Sequence, residues 1–482
     1  MTLWLALGAY ALAALWLGWR AGRATADREQ GAEFWTAGRS LGAGSVGLSI
    51  SAGFMSVSWS CVYAAQLFYG WGLGALWLIT LPWLLSLLGI WWLARRYRDL
   101  PSFSQPEMVG ERFGPVARRA VAFAVAAVFL IWGGAEIYVA ASLLAPGLGV
   151  PVPLLIGGIT LLVAAYATLG GFRAVVATDK LQYVVVAFYV LAVAAVAALA
   201  LTRIDGGFLP APGTLAPTSG RPWHDLLAPG GAVIALTFVA YLPGWLFETD
   251  LWVRVQAAKD SRAARRGVLL AGANALLFVG VLPLFIGLAA LTLFPTEGGA
   301  VPAVLGNEGD AIFAALVGRY APAWLAAPVA VGLVAAAMST IDTCANVMAL
   351  AIGYDLLDLS DRSGSRWLTL GVLLACGVFA LFTESLWDLF YLSAGILTTA
   401  VAFPVAAVFL PWAKSSGVAV SSIAGMAGTV LAYFLETRGF LTAIQPAWLA
   451  DSGLGYILWG ILAAAVGYGV GARRSASAAQ AG

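Results

Sequence analysis

Gly47-Leu-Ser-Ile-Ser-Ala-Gly-Phe-Met-Ser56 sits inside an apolar run, residues 43–70, that is long enough to cross a bilayer but poor in helix formers. Gly42, Gly44, Gly47 and Gly53 are interleaved there with Ser45, Ser49, Ser51, Ser56, Ser58 and Ser60. A second apolar run, 230–256, carries Pro243-Gly244 at mid-depth and then Glu248 and Asp250. Both runs read as interrupted helices. Unwound backbone at membrane depth survives only where it is buried in protein or lines a cavity. Paired interruptions in corresponding spans point to a transport site.

Outward from these two runs the chain reads as thirteen apolar spans: 2–20, 43–70, 71–95, 116–145, 151–170, 174–202, 230–256, 267–294, 322–354, 367–384, 387–412, 416–436 and 454–472. Each is long enough for ~30 Å of hydrocarbon. The interrupted spans are the second and the seventh. Five spans separate one start from the other, and five is odd, so the second unit enters from the opposite face. The expected layout is an inverted 5+5 repeat. An extra helix and loop (2–42) precede the first repeat (43–202), the second repeat is 230–412, and C-terminal helices and a tail occupy 413–482. The stretch 308–320 reads as a short surface helix in an outer loop.

Composition agrees. Hydrophobic residues make up 61% of the 482 and charged residues 10%, against about 25% charge in a soluble domain. With the N-terminus placed outside, alternation puts 22 of the 26 Lys and Arg on the inner side, as the positive-inside rule requires. Only Arg203, Arg221, Arg319 and Arg438 fall outside. This predicts a bacterial inner-membrane protein with a cytoplasmic C-terminus. Residues 2–20 read as a span and not a cleaved leader, because no Lys or Arg precedes them and arginines follow. A net charge of +2 gives no reason to expect a nucleic-acid partner. None of the three lysines follows a glycine, so there is no phosphate-binding loop and no ATP drive. Cys61, Cys344 and Cys376 read as small core packers. Gly38-Arg-Ser-Leu-Gly42 fits an esterase pattern, but the single histidine, His224, lies on the other side of the membrane, so the chain is not read as an enzyme.

Three motifs narrow the reading: the stretch 47–56; Gly170-Gly-Phe-Arg-Ala-Val-Val-Ala-Thr-Asp-Lys-Leu-Gln182; and Ala335-Ala-Ala-Met-Ser-Thr-Ile-Asp-Thr343. Together they resemble the sodium/solute symporter family of sugar, proline, pantothenate and iodide carriers, over about residues 35–415. The resemblance implies an all-α membrane protein of about 13 transmembrane helices with a LeuT-type inverted core, one extra N-terminal helix and two extra C-terminal ones. It implies Na+ as the coupling ion, the only metal expected. Its ligands would be the carbonyls of Ala52, Met55 and Ala336 and the hydroxyls of Ser339 and Thr340. It places Asp179 near the inner sodium path, with pairing to Arg173 or Lys180 as the plainer role. It also makes Asp342 and the intramembrane Glu136 candidates for coupling or gating.

Glu248 stands where sugar-carrying members of the family place a sugar-binding Asn, and Phe54 and Trp59 replace sugar-contacting polar residues. The resemblance therefore argues against a sugar. A carboxylate in a membrane cavity is costly unless paired or protonated. Glu248, with an aromatic wall of Phe54, Trp59, Tyr63, Trp245 and Phe247, suits an amine-containing or zwitterionic small solute. The expectation is a sodium-coupled symporter that works as a monomer, with the substrate and the lipid bilayer as its partners. The alternatives are a proton-coupled or uncoupled carrier on the same fold, in which Glu248, Glu136 or Asp342 titrates, and a membrane sensor built on a transporter fold.

Overall fold

The computed structural model describes residues 2–24, 35–204, 207–296, 299–306, 308–359, 362–383 and 386–481. In chain order the α-helices are α1 (Thr2–Ala24), α2 (Ala43–Phe54), α3 (Cys61–Trp71), α4 (Leu81–Asp99), α5 (Gln105–Phe113), α6 (Pro115–Leu148), α7 (Val152–Leu201), α8 (Gly230–Leu246), α9 (Thr249–Ala257), α10 (Ser261–Ala275), α11 (Leu282–Leu293), α12 (Ile312–Tyr320), α13 (Ala326–Leu350), α14 (Arg362–Ala380), α15 (Leu386–Ile396), α16 (Phe403–Ala407), α17 (Ser415–Thr437), α18 (Ala447–Ala450) and α19 (Gly455–Ala481). A two-residue hairpin, β1 (Leu215–Ala216) with β2 (Arg221–Pro222), lies in the loop before α8. The short surface helix expected over 308–320 is α12, with Ile312, Phe313 and Leu316 buried.

Eleven segments among the described residues are long and apolar enough to cross a membrane. Two of the thirteen expected spans fall outside that set for identifiable reasons. The run 43–70 is split into α2 and α3, of 12 and 11 residues. Val152–Thr168 is short because α7 turns sharply at Gly171 (φ 56°, ψ −151°). That backbone conformation is open to glycine and closed to residues with a Cβ.

Several arginines tie helix ends together. Arg39 donates to the carbonyls of Leu100, Pro101 and Ser102. Arg98 reaches those of Ala258 and Lys259, Arg112 those of Val408 and Leu410, and Arg118 pairs with Asp355 at 2.9 Å. These contacts gather one set of helix ends into a single face. Arg28, assigned to the same side, lies outside the described residues. At the opposite end, Thr218 N–H donates to Gly70 O and Leu73 N–H to Trp223 O, folding the hairpin loop over α3. In that loop, the Leu227 amide and Arg221 hold the Asp225 carboxyl below its ordinary pKa.

The two repeats share a local signature. The spans that follow each interrupted helix contain a π-helical stretch, Leu76–Thr80 in one and Leu276–Val281 in the other. A proline stands two residues past the end of each stretch, Pro82 or Pro283, and its missing N–H cannot complete the α-helical ladder. The two wide turns meet, with the Thr80 hydroxyl 3.3 Å from the Val279 carbonyl. Beside this contact α3 lies directly on α11, where a Cβ at Gly287 would sit 2.6 Å from the Ala65 carbonyl.

We therefore expect Gly287→Val to cost about 1–3 kcal/mol through overpacking, seen as a lower unfolding midpoint of the purified protein. An unchanged midpoint would show that α3 and α11 do not approach this closely.

Candidate functional site

The first interruption is built from its own serines and one distant carboxylate. α2 stops at Met55 (φ −75°, ψ 54°), and α3 resumes after Ser60 (φ −146°, ψ −85°). Between them the amides have no helical acceptors, and an unmet buried amide costs about 1–3 kcal/mol. Those of residues 56–59 find substitutes. Ser56 N–H donates to Ser60 Oγ (3.2 Å), and Trp59 N–H to Ser56 Oγ (2.9 Å). Val57 N–H and Ser58 N–H donate to Glu136 on α6 at 2.7 and 2.9 Å, and the Ser58 hydroxyl donates to the same carboxylate. Glu136 thus serves as the acceptor that the broken helix lost.

Just before this interruption, oxygens from two elements converge. The Ser339 hydroxyl on α13 lies 2.9 Å from the Ala52 carbonyl and 2.8 Å from that of Ala336. The Thr340 hydroxyl lies 3.1 Å from the Gly53 carbonyl and 3.3 Å from that of Ala336. The set is uncharged, all oxygen and buried, as a hard monovalent cation needs. Four of the five residues expected to act together therefore do meet: Ala52, Ala336, Ser339 and Thr340. Met55 caps α2 through its own N–H on Ser51 O (2.9 Å), while Thr340 reaches the carbonyl of Gly53.

The second interruption lies later than the Pro-Gly pair suggested. α8 runs through Pro243 to Leu246, and the chain unwinds at Phe247 (φ −116°, ψ 24°) and Glu248 (φ −62°, ψ 128°). The first residue of α5 holds it there: Gln105 donates to the Phe247 carbonyl (2.8 Å) and accepts from the Thr249 hydroxyl (2.7 Å).

Both interruptions open on one cavity, whose wall includes Gly53, Phe54, Trp59, Trp245, Glu248, Asp250, Thr340 and Thr343. Its rings are paired: Phe54 with Trp83 at 5.4 Å, Trp83 with Trp245 at 4.4 Å, and Trp59 stacked on Phe390 at 5.0 Å. Glu248 Oε2 and Asp250 Oδ1 are buried with no hydrogen-bond partner among the described residues, as are the indole N–H groups of Trp59, Trp83 and Trp245. Buried polar atoms rarely stay unpaired, so these five await a ligand or water. Tyr63 and Phe247, expected in this wall, are not part of it. Tyr63 lies beyond Phe390 (5.2 Å) and faces a second cavity, and Phe247 contributes its carbonyl to Gln105.

Behind Asp250 and Thr343 of this wall lies Arg254, which was counted from sequence among the loop cations but is wholly buried. It donates to Ser49 Oγ (3.0 Å), Asp250 Oδ2 (2.9 Å) and Thr343 Oγ1 (2.7 Å), and lies 3.7 Å from Asp179 Oδ2. Ser49 also donates to Asp179. One guanidinium therefore fastens α2, α7, α9 and α13 together. Asp179 pairs here and not with Arg173, which donates to the Ala37 carbonyl, or with Lys180. Asp342 accepts from Tyr166 OH (2.5 Å) within the bundle. The Asp250–Arg254 spacing of four along a helix was the signal in the sequence that could have found this cluster. Ser49 and Thr343 carried none.

A family model described as the sodium:solute symporter family matches residues 34–425. Among solved structures, the chain is similar to a Na+-coupled sialic acid symporter in a substrate-bound outward-open state, at 15% identity and a TM-score of 0.71, covering 98% of each chain. It is also similar to a nucleobase-cation-symport-1 family transporter in a closed conformation with bromovinylhydantoin bound, at 15% identity and a TM-score of 0.51, over 92% of this chain and 94% of that one. Identities this low speak to the fold alone. No curated protein matches the sequence.

The role given to Glu136 has a measurable consequence. Glu136→Ala strands the amides of Val57 and Ser58, so we expect a lower unfolding midpoint with or without sodium, at about 1–3 kcal/mol for each stranded group. Ser58→Ala spares both amide bonds and is expected to cost less. Equal costs for the two variants would remove Glu136 from this role.

Proposed function

The chain belongs to the sodium:solute symporter family, and we propose that it imports a small amine-containing solute together with Na+ by alternating access. The fold is of LeuT type, a multi-pass, non-enzymatic membrane carrier. One observation carries the proposal: the carbonyls of Ala52, Gly53 and Ala336 and the hydroxyls of Ser339 and Thr340 converge at a helix interruption, and Gly53 and Thr340 also line the aromatic cavity. An ion held by these oxygens would tie α2 to α13 and complete one side of the solute site. The charge balance supports a cationic solute. Glu248 and Asp250 both line the cavity; Asp250 is paired with Arg254 at 2.9 Å, whereas Glu248 has no ion pair among the described residues. The aromatic faces around them favour an ammonium group.

The arginine-rich end is read as cytoplasmic, as the positive-inside rule has it. The Arg254 cluster then closes the inner path, and the Trp59–Phe390–Tyr63 layer separates the cavity from the outside. The drive suffices. Each Na+ entering through ~100 mV and down a tenfold gradient supplies roughly 3.7 kcal/mol, on the order of 500-fold accumulation of a neutral solute. A second reading, proton coupling, is favoured by the Asp250 carboxylate lying beside that of Glu248.

In proteoliposomes we expect amine uptake to need Na+ and to cease when K+ replaces it. Ser339→Ala and Thr340→Ala are each expected to raise the sodium half-saturation concentration about tenfold or more, the loss of roughly one charge-assisted contact. Glu248→Gln is expected to abolish amine binding. Uptake driven by external acid with no sodium would favour the proton reading, and full amine affinity in Glu248→Gln would remove the counter-ion.

A further inference from the structure

The arginine-rich ends of α4 and α10 lie side by side, and the chain loads that seam with cations and indoles. Trp91, Trp92, Arg95 and Arg96 stand in the last turns of α4, and Arg265 and Arg266 in the first turns of α10. The Arg265 guanidinium crosses the seam to lie 4.2 Å from the centroid of the Trp91 ring, and Arg96 lies over Trp92 at 5.5 Å. Arg95 stands one turn beyond Trp91 on the same face of α4. None of these four arginines makes an ion pair among the described residues. The Arg265 Nε is buried with no hydrogen-bond partner there. The acids nearest in sequence do not neutralise the group: Asp260 caps α10 through the Ala263 amide at 2.7 Å, and Asp99 is exposed and forms no ion pair. About one turn deeper along each helix, Leu88 and Leu269 are exposed, within segments long and apolar enough to cross a membrane.

A guanidinium lying on an indole is attracted to the ring face and has its plane fixed by it. Its planar fork of N–H donors matches two phosphate oxygens, and little rotamer freedom is left to lose when they bind. Uncompensated basic groups between spans, at the depth where apolar surface gives way to headgroups, recruit anionic lipid. We propose that the α4–α10 seam binds one anionic phospholipid, with Arg95 and Arg265 sharing its phosphate beside Trp91 and its acyl chains lying along Leu88 and Leu269. Arg96 and Arg266 add to the field that draws the headgroup in. A free anion would use the arginines and leave the leucines idle. The seam also abuts α9: the Tyr97 ring of α4 lies 4.4 Å from that of Trp252, and its carbonyl accepts from Gln256. A bound lipid therefore braces the element that follows the second interruption. The site lies outside the solute pathway and does not depend on which solute or ion is carried.

The test is native mass spectrometry of the whole protein, released from micelles doped with dioleoyl phosphatidylglycerol or, separately, dioleoyl phosphatidylcholine. The first phosphatidylglycerol is expected to bind about tenfold or more tighter than the first phosphatidylcholine. Arg265→Gln and Arg95→Gln are each expected to lower that preference about fivefold. Arg119→Gln removes an exposed arginine of α6 from the same end of the molecule, and is expected to change it less than about twofold. Arg265→Lys keeps the charge and loses the fork, so it is expected to restore the preference only in part. The unfolding midpoint in phosphatidylcholine alone shows that each variant is folded. Should Arg265→Gln not fold, Arg95→Gln, a change at an exposed position, carries the comparison with Arg119→Gln. Equal retention of the two lipids by the parent overturns the proposal, as does an equal loss in Arg95→Gln and Arg119→Gln or full restoration by Arg265→Lys. Displacement of phosphatidylglycerol by inorganic phosphate at equal phosphate concentration overturns it too, because the acyl chains would then contribute nothing. A dimer of the chain in place of the lipid adduct does the same. The readout is lipid mass alone, so a failure of the transport function proposed above leaves it unchanged.

Discussion

A backbone amide inside a bilayer has no water to fall back on, and the structure is organised around meeting that constraint at two interruptions. Residues 56–59 give up their helical acceptors and receive Ser56, Ser60 and Glu136 in exchange. At the second break it is the Phe247 carbonyl that loses its helical donor, and it accepts from Gln105, which in turn accepts from the Thr249 hydroxyl. The side chains that repair the breaks lie on elements distant in sequence, α6 and α5, so each break also fixes how two parts of the bundle meet. Once the breaks are secured, the carbonyls just before the first one are free to face Ser339 and Thr340 in place of a helical partner. The candidate ion site is a by-product of how the break is held.

On the pathway proposed above, the two sides of the central cavity are bounded by different physics. At the arginine-rich end the closure is ionic and hydrogen-bonded, centred on a single buried guanidinium. Separating such a group from its partners is expensive, because each charge is left without water. At the other end the closure is a layer of rings, Trp59, Phe390 and Tyr241, with centroids 4.8–5.0 Å from Phe390. Ring contacts are individually weak and tolerate sliding. The structure therefore has a firm door on one side and a soft one on the other.

Much of this was legible in the sequence, for a reason that also sets the limit. Gly and Ser in 43–60 betray the first interruption because local composition causes it. Pro243-Gly244 signals the second, but the helix carries on to Leu246 because the unwinding point is set by Gln105, which no local pattern reveals. Glu136 is visible as an acid in an apolar run, but its partners lie 79 and 78 residues earlier in the chain. Arg254 was read as one more loop cation, since a charge near a span end is normally solvated; only the packing of four helices shows it buried. Tyr63 fits an aromatic wall by type, and which of two cavities it faces is decided by Phe390 in another helix.

The paired π-turns carry a consequence for how the halves are keyed together. A wide turn accommodates an additional residue, and one residue corresponds to about 100° of rotation around a helix axis. Deleting that residue from either span would swing everything beyond it by more than a quarter-circle, exchanging lipid-facing and bundle-facing sides. Because the two wide turns touch at Thr80 and Val279, the rotational phase of one half is read directly against that of the other, like two cogs with matching teeth.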